Sequence, residues 1–243
     1  MDDRSTNRRK VFAFVVEAGI KLEAKNSTTC TAAVLTYRTL RKSGASELCP
    51  YTIASACLLL AAKIEEDEMV KTRDVVNVAY RLLANLALTF STSKVKGLTR
   101  FALSILHPRA PILQIDDESW ALRTSLSRME YIVLRLLKFR LAVENPHKYL
   151  LHYISSLMHW CPHEFTKFHI GAISFIILRD AHVDPYWVLS HSPQTIAIVC
   201  LAVALRIAKV SIGVRWYSIF YSSMTKSKLR RLEDELVTLV LKR

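Results

Sequence analysis

The chain has 243 residues, 51% of them hydrophobic, with only five glycines and seven prolines. That is enough to bury one large core or two modest ones, and so few breakers among so much Leu, Ala and Lys favour helix over strand. The formal charge of +13 suggests acidic partners, but Lys and Arg are scattered in short clusters such as Arg8-Arg9-Lys10 and Arg230-Arg231, and no nucleic-acid recognition motif accompanies them, so a solvated basic surface is expected and a nucleic-acid partner is not.

In chain order, the polar start Met1–Lys10 is unlike a secretory signal. Amphipathic spacing predicts helices over about 8–25 and 27–43. The run Ile53–Ala62 is apolar on all faces but only ten residues long, which is short of a membrane span and suits a helix surrounded by others. Pro50 opens it at the first helical position, where a missing N–H costs nothing, and Lys63 ends it, where a cation suits the helix dipole. Glu65, Glu66, Asp67 and Glu68 follow. Acids are unfavourable past a helix C-terminus, so a solvated turn is expected there, with a role in holding the adjoining loop or a partner as the alternative.

A helix over 72–83 comes next. Residues 84–116 then carry Lys94, Lys96, Arg100 and Arg109 with no acid before Asp116, and read as a surface insertion with a short helix near 98–106. A long helix is predicted over 117–139, with Leu122, Leu126, Met129, Val133 and Leu136 at spacings of three and four.

Asn145-Pro146 reads as an N-cap with Pro in the first turn, opening a second half with helices over 146–160, 163–182, 214–223 and 226–242. Within it, Pro193–Arg206 (PQTIAIVCLAVALR) aligns with Pro50–Lys63 (PYTIASACLLLAAK) at an offset of 143, without gaps and with seven identities in fourteen positions. The shared Pro, Thr, Ile and Cys in register indicate two copies of one supersecondary unit. Ser192 is suited to cap the second copy. The expected fold class is all-α, two tandem five-helix repeats. The first spans 8–140, with the insertion at about 84–116, and the second spans 145–243.

Chemistry-bearing motifs are sparse. There is no G-x-G-x-x-G, P-loop, G-x-S-x-G or H-E-x-x-H. Five scattered glycines cannot build a phosphate-cradling loop. His159, Cys161 and His163 are interrupted by Pro162 and have no partner pair, so metal binding is not expected. Five cysteines without C-x-x-C fit a reducing compartment. No cofactor and no membrane partner are expected, and the weight moves from enzyme to binding protein.

Several runs resemble the cyclin family. CLLLAAKIEE at Cys57–Glu66 resembles the third-helix signature of a first cyclin box, and TRDVVNV at 72–78 resembles the helix that follows. SRMEYIVLRLLKFRL at 127–141 is similar to the fifth helix and its exit, and PHKYLLHYI at 146–154 to the opening of a second box. PHKYLLHY and AGIKLEAK at 18–25 are most similar to the cyclin Q (cyclin M) group. The resemblance implies two five-helix cyclin boxes in a regulatory subunit that is not itself an enzyme. It would activate a cyclin-dependent serine/threonine protein kinase, of type ten by resemblance, in transcription or the cell cycle, in nucleus and cytoplasm.

Carried over residue by residue, the resemblance assigns kinase contact to Lys63 and Glu130, with apolar contacts from Leu60, Ile64, Phe139 and Leu141. The M-R-A-I-L substrate-docking patch of cell-cycle cyclins is absent; Arg9–Phe14 (RKVFAF) stands in that region. Asn145 stands where the most similar group tends to carry His. The alternative is a B-type transcription factor, which uses the same repeated fold on DNA. It would carry paired cysteines ahead of the repeats, and the first eleven residues here hold none.

Overall fold

The computed structural model describes residues 3–91, 113 and 116–241. Every regular element among them is helical: α1 Asp3–Lys21, α2 Asn26–Leu40, a 3-10 turn at Ser43–Ala45, α3 Pro50–Ile64, α4 Thr72–Ser91, α5 Asp117–Leu137, α6 His147–Trp160, α7 Pro162–Lys167, α8 Ile170–Ala181, α9 Pro185–Leu189, α10 Pro193–Ile207, α11 Trp216–Phe220 and α12 Lys226–Leu241. The chain separates into two compact units, Met1–Leu141 and Ala142–Arg243.

In the first unit α3 is the axis. It packs against α1, α2, α4 and α5, and every residue from Ile53 to Ala62 is buried. That explains the sequence: a helix with neighbours on all sides has no face on which a polar residue is cheap. In the second unit α10 has the same place, packed against α6, α8 and α12 and buried from Thr195 to Leu205. Cys57 and Cys200 are fully buried. Burial pushes the Cys57 thiol up to about 12 and the Cys200 thiol further still, so both are packing residues without thiolate reactivity.

The offset of 143 extends into the backbone beyond the aligned segments. The N–H of Asp67 donates to the Ala62 carbonyl at 2.9 Å and that of Val210 to the Leu205 carbonyl at 3.0 Å. Glu66 and Lys209, each one residue earlier, are left-handed at φ 50° and 55°. Both central helices therefore end in the same Schellman turn. Their starts match as well, Ile53 N–H to Cys49 carbonyl and Ile196 N–H to Ser192 carbonyl, each at 3.1 Å. Ser192 caps α10, its Oγ accepting from the Thr195 N–H.

Four local expectations change. First, α4 continues to Ser91, eight residues into the stretch read as an insertion, because Leu83, Leu86, Ala87 and Phe90 prolong the helical spacing. The expected short helix at 98–106 lies outside the described residues. Second, α1 ends at Lys21, since Glu23 turns left-handed to lead into α2.

Third, a single helix over 163–182 is replaced by α7 and α8, broken at His169 with φ 49°. Phe165 and Ile170 are both buried, yet five residues in a continuous helix would set them about 140° apart; the break turns both inward. Fourth, Asn145 does not cap α6. No side chain caps that N-terminus, and the first helical bond runs from Leu150 N–H to the carbonyl of Pro146, one residue later than an Asn145 cap requires.

One glycine is required by packing. A Cβ on Gly19 would sit 2.3 Å from Thr29 Oγ1 and 2.9 Å from its Cγ2, so α1 and α2 pack at a distance that only glycine permits.

Candidate functional site

The expected site residues come from α3, α5 and the chain just after α5. Lys63 lies in the last turn of α3. Its Nζ donates to Glu130 Oε1 at 2.5 Å, and the lysine side chain is 58% exposed against 12% for the glutamate. The bond ties the end of the central helix to the middle of α5 and keeps most of the lysine surface open. As a partly exposed ion pair it contributes about 0–1 kcal/mol to stability; its clearer effect is to fix the direction of two charges on one surface.

The expected apolar contacts divide. Ile64 is 38% exposed and Phe139 is 69% exposed, while Leu141 is half-buried. Leu60 is only 5% exposed. It lies one turn before Lys63 but turns into the core, so it supports this surface from below and offers almost no area to a partner.

Phe139 is held out by the backbone. Its N–H donates to the Leu134 carbonyl at 3.1 Å, closing α5, and Lys138 and Phe139 are both left-handed at φ 51° and 56°. A bulky residue in that region is uncommon and costs of order 1–3 kcal/mol. Two in succession place a large exposed ring where a regular helix end would not.

Beside Lys63 the turn from α3 to α4 forms a shallow open cleft of about 410 Å3. Leu59, Ala62 and Val70 supply its apolar lining, and Lys63, Glu66, Glu68 and Lys71 its charged lining. Asp67 is the residue that sequence reasoning missed. It is buried, not solvated. Its carboxylate accepts from the Lys25 N–H at 2.7 Å, the Thr28 hydroxyl at 2.8 Å and the Met69 N–H at 3.3 Å. It thus caps the N-terminus of α2, where a negative charge is favourable.

The neighbours of Asp67 reinforce this anchorage. Lys25 Nζ donates to the carbonyls of Glu66 at 2.8 Å and Glu65 at 3.2 Å, and the Thr31 hydroxyl donates to Glu65 Oε1 at 2.6 Å. The acidic run therefore anchors the rim of the cleft to the α1–α2 junction.

The second unit repeats the clamp with other residues. Arg206, the counterpart of Lys63 at the offset of 143, donates to Asp234 at 3.1 Å and lies 3.6 Å from Glu233, both on α12. His159, weighed for metal binding, has its Nδ1 at 2.7 Å from the Ser155 carbonyl. No group of three or more His, Cys, Asp or Glu among the described residues could hold a metal ion. No described helix is long and apolar enough to cross a membrane.

The comparisons with known proteins agree with this architecture. The family model described as "Cyclin, N-terminal domain" matches residues 1–142. Cyclin pch1 of Schizosaccharomyces pombe is 23% identical over 213 residues, covering 88% of this chain and 54% of that protein. Cyclin-T2 of Homo sapiens is 23% identical over 247 residues, 99% of this chain and 30% of that protein. Cyclin-L2 of Homo sapiens is 25% identical over 222 residues, 90% of this chain and 38% of that protein. The chain thus spans from about a third to about half the length of these relatives.

Proposed function

The chain belongs to the cyclin family, and we propose that it is a regulatory subunit that binds and activates a cyclin-dependent serine/threonine protein kinase through the surface at the ends of α3 and α5. The observation that carries the reading is the Lys63–Glu130 pair with the exposed Ile64 at the end of α3 and Phe139 just after α5. A basic and an acidic group beside apolar area give polarity and register to a helix-packing interface. The cleft next to Lys63 extends that area.

The proposed mechanism is a population shift. The kinase's regulatory helix samples an inactive and an active position, and this surface packs only on the active one, completing the kinase's own Lys–Glu pair. The similarity of PHKYLLHY and AGIKLEAK to the cyclin Q group makes cyclin-dependent kinase ten the first kinase to test, with transcription or cell-cycle control as its setting.

Calorimetry of kinase binding tests the reading, with thermal melting as the folding control. Lys63→Glu is expected to weaken binding by about thirtyfold or more, the scale of a partly buried interface charge left unpaired, with little change in melting. Glu130→Lys behaves alike. The double exchange rebuilds the intramolecular pair with its charges reversed, so it preserves the fold while presenting the wrong polarity. Its affinity stays low, and its effect is less than additive. Native affinity in both single variants, or full recovery in the double exchange, would overturn the proposed interface.

A further inference from the structure

The turn after α3 is bonded to the start of α2 more heavily than its shape requires. Lys25 gives it two kinds of donor: its backbone N–H to the Asp67 carboxylate at 2.7 Å, and its ammonium to the carbonyls of Glu66 at 2.8 Å and Glu65 at 3.2 Å. The Thr28 and Thr31 hydroxyls add bonds to Asp67 and Glu65. The turn after α10 is the internal control. It has the same closing hydrogen bond and the same left-handed residue. Yet among the described residues no hydrogen bond ties Ala208, Lys209, Val210 or Ser211 to another helix. The fold makes this turn without cross-links, so those of the first turn have a further effect.

That effect lies at the cleft. Glu66, Asp67, Glu68 and Val70 line it next to Lys63, and the backbone of this wall has little hold on itself. Past the Asp67 N–H, which closes the helix, its one turn bond runs from the Val70 N–H to the Asp67 carbonyl at 3.4 Å, longer than a good N–H bond to oxygen. Asp67 holds the wall from within, buried beneath the exposed Glu66 and Glu68. Lys25 holds it by two carbonyls at the end of α3, where free acceptors and the helix dipole favour a cation. Capping α2 needs the Asp67 carboxylate but makes no use of the Lys25 ammonium.

A wall that is fixed before the partner arrives does not have to be ordered on binding, and the saving appears as affinity. We infer that Lys25 and Asp67 are positioning residues of the kinase-binding surface. They touch no kinase atom and act by holding the cleft wall in register with Lys63. The inference rests on the proposed kinase surface and adds to it a control point at the junction of α1 and α2.

The test is calorimetry of the full chain with cyclin-dependent kinase ten, run beside Lys63→Glu as the marker of the surface. Lys25→Met removes the ammonium and keeps the backbone N–H to Asp67. It is expected to weaken kinase binding about fivefold to tenfold, the scale of a wall that must be ordered on binding, while melting falls by about 5 °C or less. Lys25→Arg keeps a cationic donor and restores affinity to within about twofold. Asp67→Asn keeps one acceptor oxygen and weakens binding by a similar factor to Lys25→Met. Combined with Lys63→Glu, Lys25→Met costs less than it does alone, because the wall acts on the element that Lys63 contacts. Hydrogen exchange of the Met69 and Val70 amides quickens about tenfold in Lys25→Met, and that of the buried α3 amides does not.

Native affinity in Lys25→Met together with weak binding in Lys63→Glu would overturn the inference and leave the kinase surface standing. Native affinity in both would overturn both. Weak binding in Lys25→Met with native binding in Lys63→Glu, no rescue by Lys25→Arg, or exchange quickened equally throughout α2 and α3 would overturn the positioning role.

Discussion

Mild acid should destabilise the second unit, and the size of the effect follows from one side chain. His182 is fully buried. Its Nδ1 lies 2.7 Å from the Leu178 carbonyl, and its Nε2 has no hydrogen-bond partner. Burial holds the imidazole down to about 4, with nearby His147 pushing in the same direction. A folded value below the unfolded one of about 6.5 means that the unfolded chain takes up the proton first as pH falls. The contribution is fully present above about pH 6.5 and is lost progressively towards pH 4. At pH 5 the loss from His182 comes to about 2 kcal/mol. His147, itself lowered to about 4 by burial, adds to it with the same sign. Urea denaturation at pH 7.5 and pH 5, followed by the fluorescence of Trp187 and Trp216, measures the difference. His182→Met is expected to remove about 2 kcal/mol of it while shifting stability at neutral pH much less. An unchanged pH dependence in that variant would refute the reasoning.

Two further predictions concern the first unit. Gly19→Ala sets a helix-propensity gain of about 1 kcal/mol against a Cβ 2.3 Å from Thr29 Oγ1, and overpacking of this kind costs about 1–3 kcal/mol. Net destabilisation is therefore expected in urea melts, and a stabilised variant would show that α1 shifts freely on α2. Asp67→Ala removes the acceptor from the Lys25 N–H and the Thr28 hydroxyl and is expected to cost about 2–4 kcal/mol, with Asp67→Asn costing less; a loss below about 0.5 kcal/mol would exclude the cap.

What could be read in the sequence, and what could not, divides along a physical line. The two central helices were legible because an all-apolar run between Pro50 and Lys63, repeated 143 residues later, has few foldable explanations. The Ser192 cap was legible because it acts on its own helix. Asp67 was not, because local electrostatics sees an acid after the C-terminus of α3, where it is unfavourable. The helix it actually serves is α2, and that relation exists only after the chain has folded back. Leu60 offers little open area for a similar reason. It sits one turn from Lys63, but neighbouring positions on a helix surrounded by others still turn inward. The pairing of Lys63 with Glu130, 67 residues apart, could be given only as two residues facing one partner.

The repeat also shows how one scaffold can carry two different surfaces. The turns after α3 and α10 share their hydrogen bonds and the left-handed residue. Both helices end in a cation clamped by acids on a later helix, followed by an exposed isoleucine, Ile64 and Ile207. What differs is the rim. The first turn continues as Glu65, Glu66, Asp67 and Glu68, and the second as Ala208, Lys209, Val210 and Ser211. With Asp67 buried, the exposed Glu66 and Glu68 of the first rim stand against the exposed Lys209 of the second, so the rims differ in sign although their backbones match. A partner element matched in charge to the first rim would meet the opposite sign at the second, and like-charge contacts are costly at an interface. The duplicated helix ends therefore constrain the fold twice and the proposed kinase surface once. The charge difference between the two ends lies outside the aligned fourteen, in the acidic turn anchored by Asp67.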